Sequence, residues 1–535
     1  MKKFLSVVTL TLPLLTAYGQ GTESSNSTQP EKIRYGQELF LQNLSFGSDN
    51  PVSIASNPYT LLNDFNVSYS RGTGSFMPVD GSGKAGLTDI DIYGVKKLNT
   101  ISFEGSMHYG VHDLQDSRWN NTVLLSENNP FIIADSLVYY KTATHADSIP
   151  NDQNRELFTL SGGFAWQVSH KFLVGLRAVY KVGSKADESD PRFEAHGARV
   201  LINPGAEYSL SDRIALGLSF DAEVYHETVS MSVMDNLLPG HENTFLFQEL
   251  GKYVVEQSGK RRYDGSRLGG FLQFKAKGTT LSDLFEAGLV MNTEKADDGA
   301  TSFTRHGGDY SEYLITARNR FCMNRPSAIH NLILSASMTY GSAKWYKQKA
   351  RIGEFGQTLY DILSKEVVQK QNDMSATLSY RFDHLSSRRP VFTAIVNAGA
   401  GKVSVNQYPD GYFARYTLAN AGAELSRTFF VKDFSFSIGL TGNMTKDISA
   451  LQYELPTATG TRKVMNSYFI PKYEYLGAGF WNTGATADAS YRIKRQDRTL
   501  CYCRLGAGYS YTGYTGSYSR FDDRRTVSVR ASLLF

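Results

Sequence analysis

The feature that most constrains this chain is a period of two. From about residue 63 onward, segments of ten to sixteen residues alternate apolar with polar or small side chains. Ile101, Phe103, Met107, Tyr109 and Val111 alternate with Ser102, Glu104, Ser106, His108 and Gly110. Ile214, Leu216, Leu218, Phe220, Ala222 and Val224 alternate with Arg213, Gly217, Ser219, Asp221 and Glu223. Successive strand side chains point to opposite faces, so each segment carries one apolar and one polar face. The segments are also long. Ordinary strands have about five or six residues, whereas about ten tilted residues cross a bilayer. Such strands predict a membrane-spanning sheet, closed so that every backbone group finds a partner.

Composition removes the alternatives. No stretch beyond residue 20 supplies the apolar run of a spanning helix, and the mean hydropathy is −0.32. The 56 basic against 52 acidic residues leave +4, too little to call for nucleic acid. Three cysteines cannot staple a scaffold. The 32 Tyr and 31 Phe suit the interface girdles of a barrel, with Trp166 at a short-turn end and Trp345 and Trp481 near long-loop ends. A soluble sandwich or propeller is disfavoured by strand length and by the lack of a blade-length repeat.

The connections alternate too. Short turns fall near Lys97, His170, Asp212, Thr280, Pro326, Ser387, Val431 and Gln496, and longer segments near 113–155, 231–262, 346–370 and 447–479. Short periplasmic turns with long outer loops mark an outer-membrane barrel. Eight short turns join sixteen strands, and segments 63–71 and 520–535 add one at each end. The expectation is an all-β, transmembrane, antiparallel up-and-down barrel of about eighteen strands, within a range of fourteen to eighteen, with both chain ends in the periplasm. Extended Met465 to Phe469 leaves room for a further pair within 447–479.

Before the barrel, Lys2 and Lys3, the apolar stretch Phe4 to Leu15 and Ala17-Tyr18-Gly19 read as a signal peptide spanning 1–19. Residues 20–62 are polar, broken by Asn50-Pro51 and Asn57-Pro58, and are expected to form a periplasmic arm or plug; 63–535 form the barrel. At the other end Val527, Val529, Ala531, Leu533 and Phe535 alternate with Ser528, Arg530 and Ser532. This resembles the terminal strand of Gram-negative outer-membrane β-barrels of porin or fatty-acid-transporter size. The resemblance implies an outer-membrane location, contact with lipid, and reading of the strand ending in Phe535 by the barrel-assembly machinery. Asn57-Pro58 is similar to the Asn-Pro element in the hatch of fatty-acid transport barrels, and is equally an ordinary turn signal.

The polar faces supply the candidate lumen residues. Asp89 and Asp91 share one face, as do Glu104 and His108, and a turn at Lys96 to Asn99 places Asp91 roughly opposite Glu104. His108 and His112 lie about 13 Å apart at the standard strand rise, too far to ligate one ion directly. Arg177, Lys181, Arg318, Arg320, Arg381, Arg504 and Arg530 face the same way, with Asp221 and Glu223 among them. Facing charges of opposite sign set selectivity in a pore; the alternative is neutralisation within the wall, as by Lys275 near Glu286. Cys501 and Cys503 share the face of Leu505 and point to lipid. No P-loop, dinucleotide fingerprint, nucleophile elbow or metalloprotease motif occurs, so neither an enzyme nor a cofactor is expected.

The functional expectation is a channel or transporter for small solutes. The alternative is a plugged barrel that anchors or presents its loops to a surface lipoprotein, a secretion complex or an external ligand. Loop 113–155 bears on the choice, because Trp119, Phe131, Ile132 and Ile133 call for inward folding or a partner.

Overall fold

The computed structural model describes residues 48–535 apart from positions 118, 120, 143–144, 150, 188–191, 233–241, 250–251, 257–258, 300–304, 387–388, 458–463, 495–499 and 516–522. The expected signal peptide and residues 20–47 of the expected arm lie outside the described residues.

In chain order the strands are β1 (Leu61–Gly74), β2 (Ser82–Lys97), β3 (Ile101–Ser117), β4 (Ile133–Thr142), β5 (His145–Ile149), β6 (Asn151–Gln167), β7 (Phe172–Asp187) and β8 (Arg192–Ser209). There follow β9 (Ile214–Ser232), β10 (Glu242–Glu249), β11 (Lys252–Glu256), β12 (Gly259–Lys277), β13 (Leu281–Asp298), β14 (Arg305–Arg325), β15 (Ala328–Ile352) and β16 (Thr358–Ser386). The last are β17 (Arg389–Gln407), β18 (Phe413–Val431), β19 (Phe434–Asp447), β20 (Gln452–Glu454), β21 (Phe480–Lys494), β22 (Leu500–Tyr514) and β23 (Arg524–Leu534).

Eighteen of these form one antiparallel wall, in which neighbours in sequence are neighbours in space. The wall closes where β23 pairs with β1, from Asp64 opposite Leu534 to Gly74 opposite Arg524. The backbone of Phe535 continues the seam with both its N–H and its C=O bonded to Asn63. Closure removes the free edges that would otherwise strand backbone groups in lipid. The chain is a closed antiparallel β-barrel of eighteen strands, and the short turns near Lys97, His170, Asp212, Thr280, Pro326 and Val431 fall where the sequence expects them; those near Ser387 and Gln496 lie outside the described residues.

The two faces separate as the alternation requires. On β9, Leu216, Leu218, Phe220 and Val224 are exposed on the outer face, while Ser219, Asp221, Tyr225 and Glu227 are buried on the inner one. Trp166 and Trp481 are exposed on the outside. Trp345 is not: it packs against an apolar cluster inside the barrel, beyond a register shift at Ala343/Lys344. Cys501 is buried and Cys503 half-buried, on the strand that exposes Leu505.

Two other expectations need correction. Segment 346–370 is not a loop: β15 and β16 stay paired out to Ile352 opposite Thr358, making a long hairpin. Met465 to Phe469 is not a hidden strand. It is a π-helical turn leading into helix α1 (Ile470–Ala478), and among the described residues of the stretch only three-residue β20 pairs, with β18. The reason is periodic: Met465, Phe469 and Tyr473 recur at helical spacing and are buried together, with Pro471 in the first turn of α1.

The described parts of the connections between β3 and β6 and between β9 and β12 do not project outward. Their strands form a second sheet, in the order β11, β10, β4, β5. Trp119, Phe131 and Ile133 are fully buried. One apolar cluster joins Val123, Leu124, Phe131 and Ile133 to inner-face residues of β8, β9 and β12 to β16; another joins Trp119, Phe245 and Phe247 to Met465, Tyr468, Phe469 and Tyr473. Together they form a lid across the long-loop half of the lumen.

Candidate functional site: the lumen and its lid

The lid is held mainly by charged wall residues acting on its main chain. Glu227 on β9 is fully buried and accepts the N–H groups of Val123 at 2.6 Å and Leu124 at 2.8 Å. Arg155 on β6 donates to the Val123 carbonyl at 3.2 Å, and Arg199 on β8 donates to that of Leu124. Glu294 on β13 accepts from Ser126 Oγ at 2.7 Å and Asn129 Nδ2 at 2.9 Å. Arg261 on β12, fully buried, donates Nη1 to the carbonyls of Phe131, Ile132 and Phe247, and pairs with Asp298 at 2.6 Å. Tyr263 donates its hydroxyl to the Phe131 carbonyl at 2.8 Å. The chain turns off β3 into the lumen through Asp116 and Trp119, both with left-handed φ of 57° and 62°. Such strain costs about 1–3 kcal/mol per residue, and burial of the Trp119 ring offsets it.

Between the lid, the wall and α1 lies a chamber of about 620 Å³. Arg155, Lys185 and Lys472 line it together with Gln153, Gln371 and Tyr416. Lys472 stands over the Tyr468 ring, 5.8 Å from its centroid. Protein packed around its ammonium holds it below the ordinary lysine range although the side chain stands open to the chamber, and nearby Asp80 pulls the other way. Trp119 Nε1, Gln153 Oε1 and Arg155 Nε are buried without a hydrogen bond to protein.

The short-turn half of the lumen is occupied by residues 48–57. Asn50 caps a single 3₁₀ turn, Pro51–Ser56, by accepting from Val52 N–H at 3.1 Å. Its Nδ2 donates to Ala206 O at 3.0 Å and Leu218 O at 3.3 Å. Glycines on four neighbouring strands make the groove. A Cβ at Gly205 would lie 2.2 Å from Asn50 Oδ1, and one at Gly175 would lie 2.8 Å from Val52 N. Gly163 and Gly217 likewise face Ile54 and Asn50. Ser48 Oγ donates to Glu286 at 2.7 Å, and Asn57 Oδ1 accepts from Tyr59 N–H, so Asn57-Pro58 does act as a turn signal.

All the sequence candidates stand on the face opposite the exposed apolar rows. Asp91 meets His108 Nδ1 at 2.8 Å, while Asp89 Oδ1 lies 3.2 Å from His112 Nε2 and 3.8 Å from His108 Nε2. The register therefore differs from expectation: Asp91 lies opposite His108, and Glu104 opposite Val95. The two imidazoles, distant along the strand, converge on one carboxylate above Gly110, which has no side chain to keep them apart. Among the described residues no group of three or more His, Cys, Asp or Glu is arranged to hold a metal.

Other candidates pair mostly with nearby strands. Glu104 meets Arg177 at 3.6 Å, Glu223 meets Arg199 at 2.9 Å, and Asp221 meets Arg267 at 3.3 Å. Arg318 pairs with Glu286, Arg381 with Asp383, and Arg530 with Asp488. Arg504 lies near Arg530, Asp488 and Asp64, Lys181 near Arg199 and Arg155, and Arg320 is buried near Arg318 and Arg381. Lys275 pairs with Glu207 rather than the expected Glu286, which Arg318 takes. The residues that hold the lid, Glu227, Arg261 and Glu294, are absent from the lumen-lining candidates. Their signal was present: all three extend the inner-face alternation of β9, β12 and β13 toward the long loops.

No curated protein matches the chain. Among solved structures, the copper transporter OprC is similar over 89% of this chain and 80% of its own, at 9% identity and a TM-score of 0.41. BauA, the ferric preacinetobactin receptor from Acinetobacter baumannii, is similar over 89% and 80%, at 9% identity and a TM-score of 0.36. Closure of the wall rests on the pairing of β23 with β1. Residues 51–535 match the model of a family of unknown function, DUF6850, and the chain belongs to that family.

Proposed function

We infer that the protein is a gated passage for small hydrophilic solutes across the outer membrane, in its closed state. The observation that supports this reading is how the lumen is closed. A permanent plug needs only apolar filling, whereas Glu227, Arg155, Arg199, Glu294 and Arg261 all grip the lid. Beside its two apolar clusters the lid also roofs a polar chamber. Polar contacts are exchangeable for water once the lid moves, so their net cost of release is modest. An eighteen-strand wall is wide enough for an aqueous path when cleared. Asp89, Asp91, Glu104, His108 and the arginines paired along the wall would then set solute preference. In this reading lipid surrounds the outer face, and the barrel-assembly machinery reads β23 and Phe535.

Planar-bilayer recording tests the proposal. Wild type is expected to conduct weakly, and a variant lacking 113–155 to conduct strongly. No conductance from a correctly closed barrel of the deleted form overturns it.

One observation favours the anchoring alternative. The far end of the β15–β16 hairpin carries exposed Ile352, Ile362 and Leu363, with Phe355 at its tip 92% exposed. Co-purification of a stoichiometric lipoprotein or other partner that is lost on Phe355→Asp would favour that reading.

A further inference from the structure

The wall holds part of the lid as it would hold a bound peptide. Within residues 122–132 most wall contacts go to main-chain groups. One carboxylate, Glu227, takes two consecutive N–H groups, and Arg155 and Arg199 take the carbonyls of the same two residues. Further along, Arg261 and Tyr263 take the carbonyl of Phe131, and Arg261 that of Ile132. Side chains between and beside these bonds fill places where the wall has none. Val123 Cγ1 lies 2.3 Å from where a Cβ of Gly183 would stand, and Leu124 Cδ1 lies 3.2 Å from that of Gly197. The Phe131 ring lies 2.3 Å from that of Gly308, whose φ is 142°. Main-chain hydrogen bonds for affinity, with side-chain sockets for selectivity, are how proteins recognise peptides; this one is held bent, with bends at 123–125 and a turn closed by Asn129 N–H donating to Ser126 O at 3.1 Å.

The charges sharpen the argument. Glu227 and Arg261 are fully buried and Glu294 nearly so. A ligand that displaces the lid while the site stays dry must satisfy these groups in turn, because a buried charge without its partner is costly. It must offer adjacent N–H donors to one carboxylate and, several residues on, carbonyl acceptors to a guanidinium. A peptide main chain has both at that spacing; a small inorganic ion has neither, and a sugar has no amide row.

We propose that the inner wall of β6 to β9 and β12 to β14 is a binding site for short peptides that bend and turn within it and carry apolar side chains, and that residues 122–132 are its internal occupant. This rests on the reading of the lid as movable. The site keeps its own chain bound until an external peptide competes for it.

The test uses the full chain in detergent and a fluorescein-labelled synthetic peptide of residues 122–132, read by fluorescence anisotropy. Leu124→Asp puts a carboxylate beside Glu227 and loosens the lid while leaving the wall intact; Phe131→Asp serves in its place if the first variant lacks the heat-modifiable band of a closed barrel. The loosened variant is expected to bind the peptide saturably and at least about tenfold more tightly than wild type. Adding Glu227→Gln, or using a peptide with Asp at the Val123 and Leu124 positions, is expected to weaken binding at least about tenfold. Absence of saturable binding to a closed, loosened barrel overturns the proposal, as does equal binding by wild type or indifference to Glu227→Gln. Conductance is measured separately: a barrel that conducts but binds no peptide overturns this inference alone, and one that binds but never conducts overturns the passage alone.

Discussion

Replacing Arg261 with Met is expected to release the lid without opening the wall. Arg261 is fully buried. Its Nε and Nη2 donate to Asp298 at 2.6 and 3.0 Å, and its Nη1 to the carbonyls of Phe131, Ile132 and Phe247 at 3.0, 3.0 and 2.9 Å. Met fills most of the space and donates nothing. Asp298 keeps Arg305 at 3.4 Å, so its charge is only partly stranded, while all three carbonyls lose this donor. Removing one member of a buried pair costs about 3–5 kcal/mol. Each carbonyl left dry would add about 1–3 kcal/mol, but water reaching a loosened lid repairs these, so the pair sets the scale. At about 1.4 kcal/mol per factor of ten, the closed lid loses about two to four powers of ten against the open one. Hydrogen exchange reads this directly: amides of 122–133 should lose that much protection while amides of β12 and β13 keep theirs. Adding Asp298→Asn should restore a large part of the loss, because the uncompensated charge disappears. Unchanged protection of 122–133, or loss in step with the barrel strands, would refute the reasoning.

Three more outcomes follow from the same geometry. Gly205→Ala forces a Cβ to within 2.2 Å of Asn50 Oδ1 and should cost residues 48–57 about 1–3 kcal/mol of docking, seen as new protease cleavage before β1 with the barrel intact. In single-tryptophan variants, brominated lipid should quench Trp166, exposed on the outer wall, and leave Trp119, buried in the lid, bright; equal quenching would reject the assignment of faces. Because protein packed around Lys472 lowers its folded-state pKa, charging it opposes docking of α1, weakly since the side chain is open to water in the chamber; that penalty operates below the lowered value and fades as pH rises to the ordinary 10.5. Protease cleavage around α1 should therefore slow as pH rises toward that value, and Lys472→Met should flatten the dependence.

Much of the wall was legible because its rule is local. A strand that faces lipid on one side must alternate, and Ile214 to Val224 do so without reference to any other part of the chain. The turns were legible for the same reason, since the alternation stops at each. Errors arose where a local pattern had two readings. Met465 to Phe469 looks extended until Tyr473 extends the helical spacing. The polar, charged stretch 346–370 looks like a loop because β15 and β16 run past the membrane, where neither face need be apolar.

The sequence by itself therefore determined a closed, lipid-facing sheet of about eighteen strands and, except where a bulge shifts the alternation as before Trp345, which side of a strand looks inward. Only the tertiary structure decided what fills the inside. Glu227 meets Val123 across 104 positions and Arg261 meets Phe131 across 130. Asn50 finds its groove 156 positions away, over glycines that alternation alone would count as ordinary small residues. A period of two fixes the direction of a side chain relative to its own strand. What that side chain meets across a lumen depends on how distant segments return, and no local period records that.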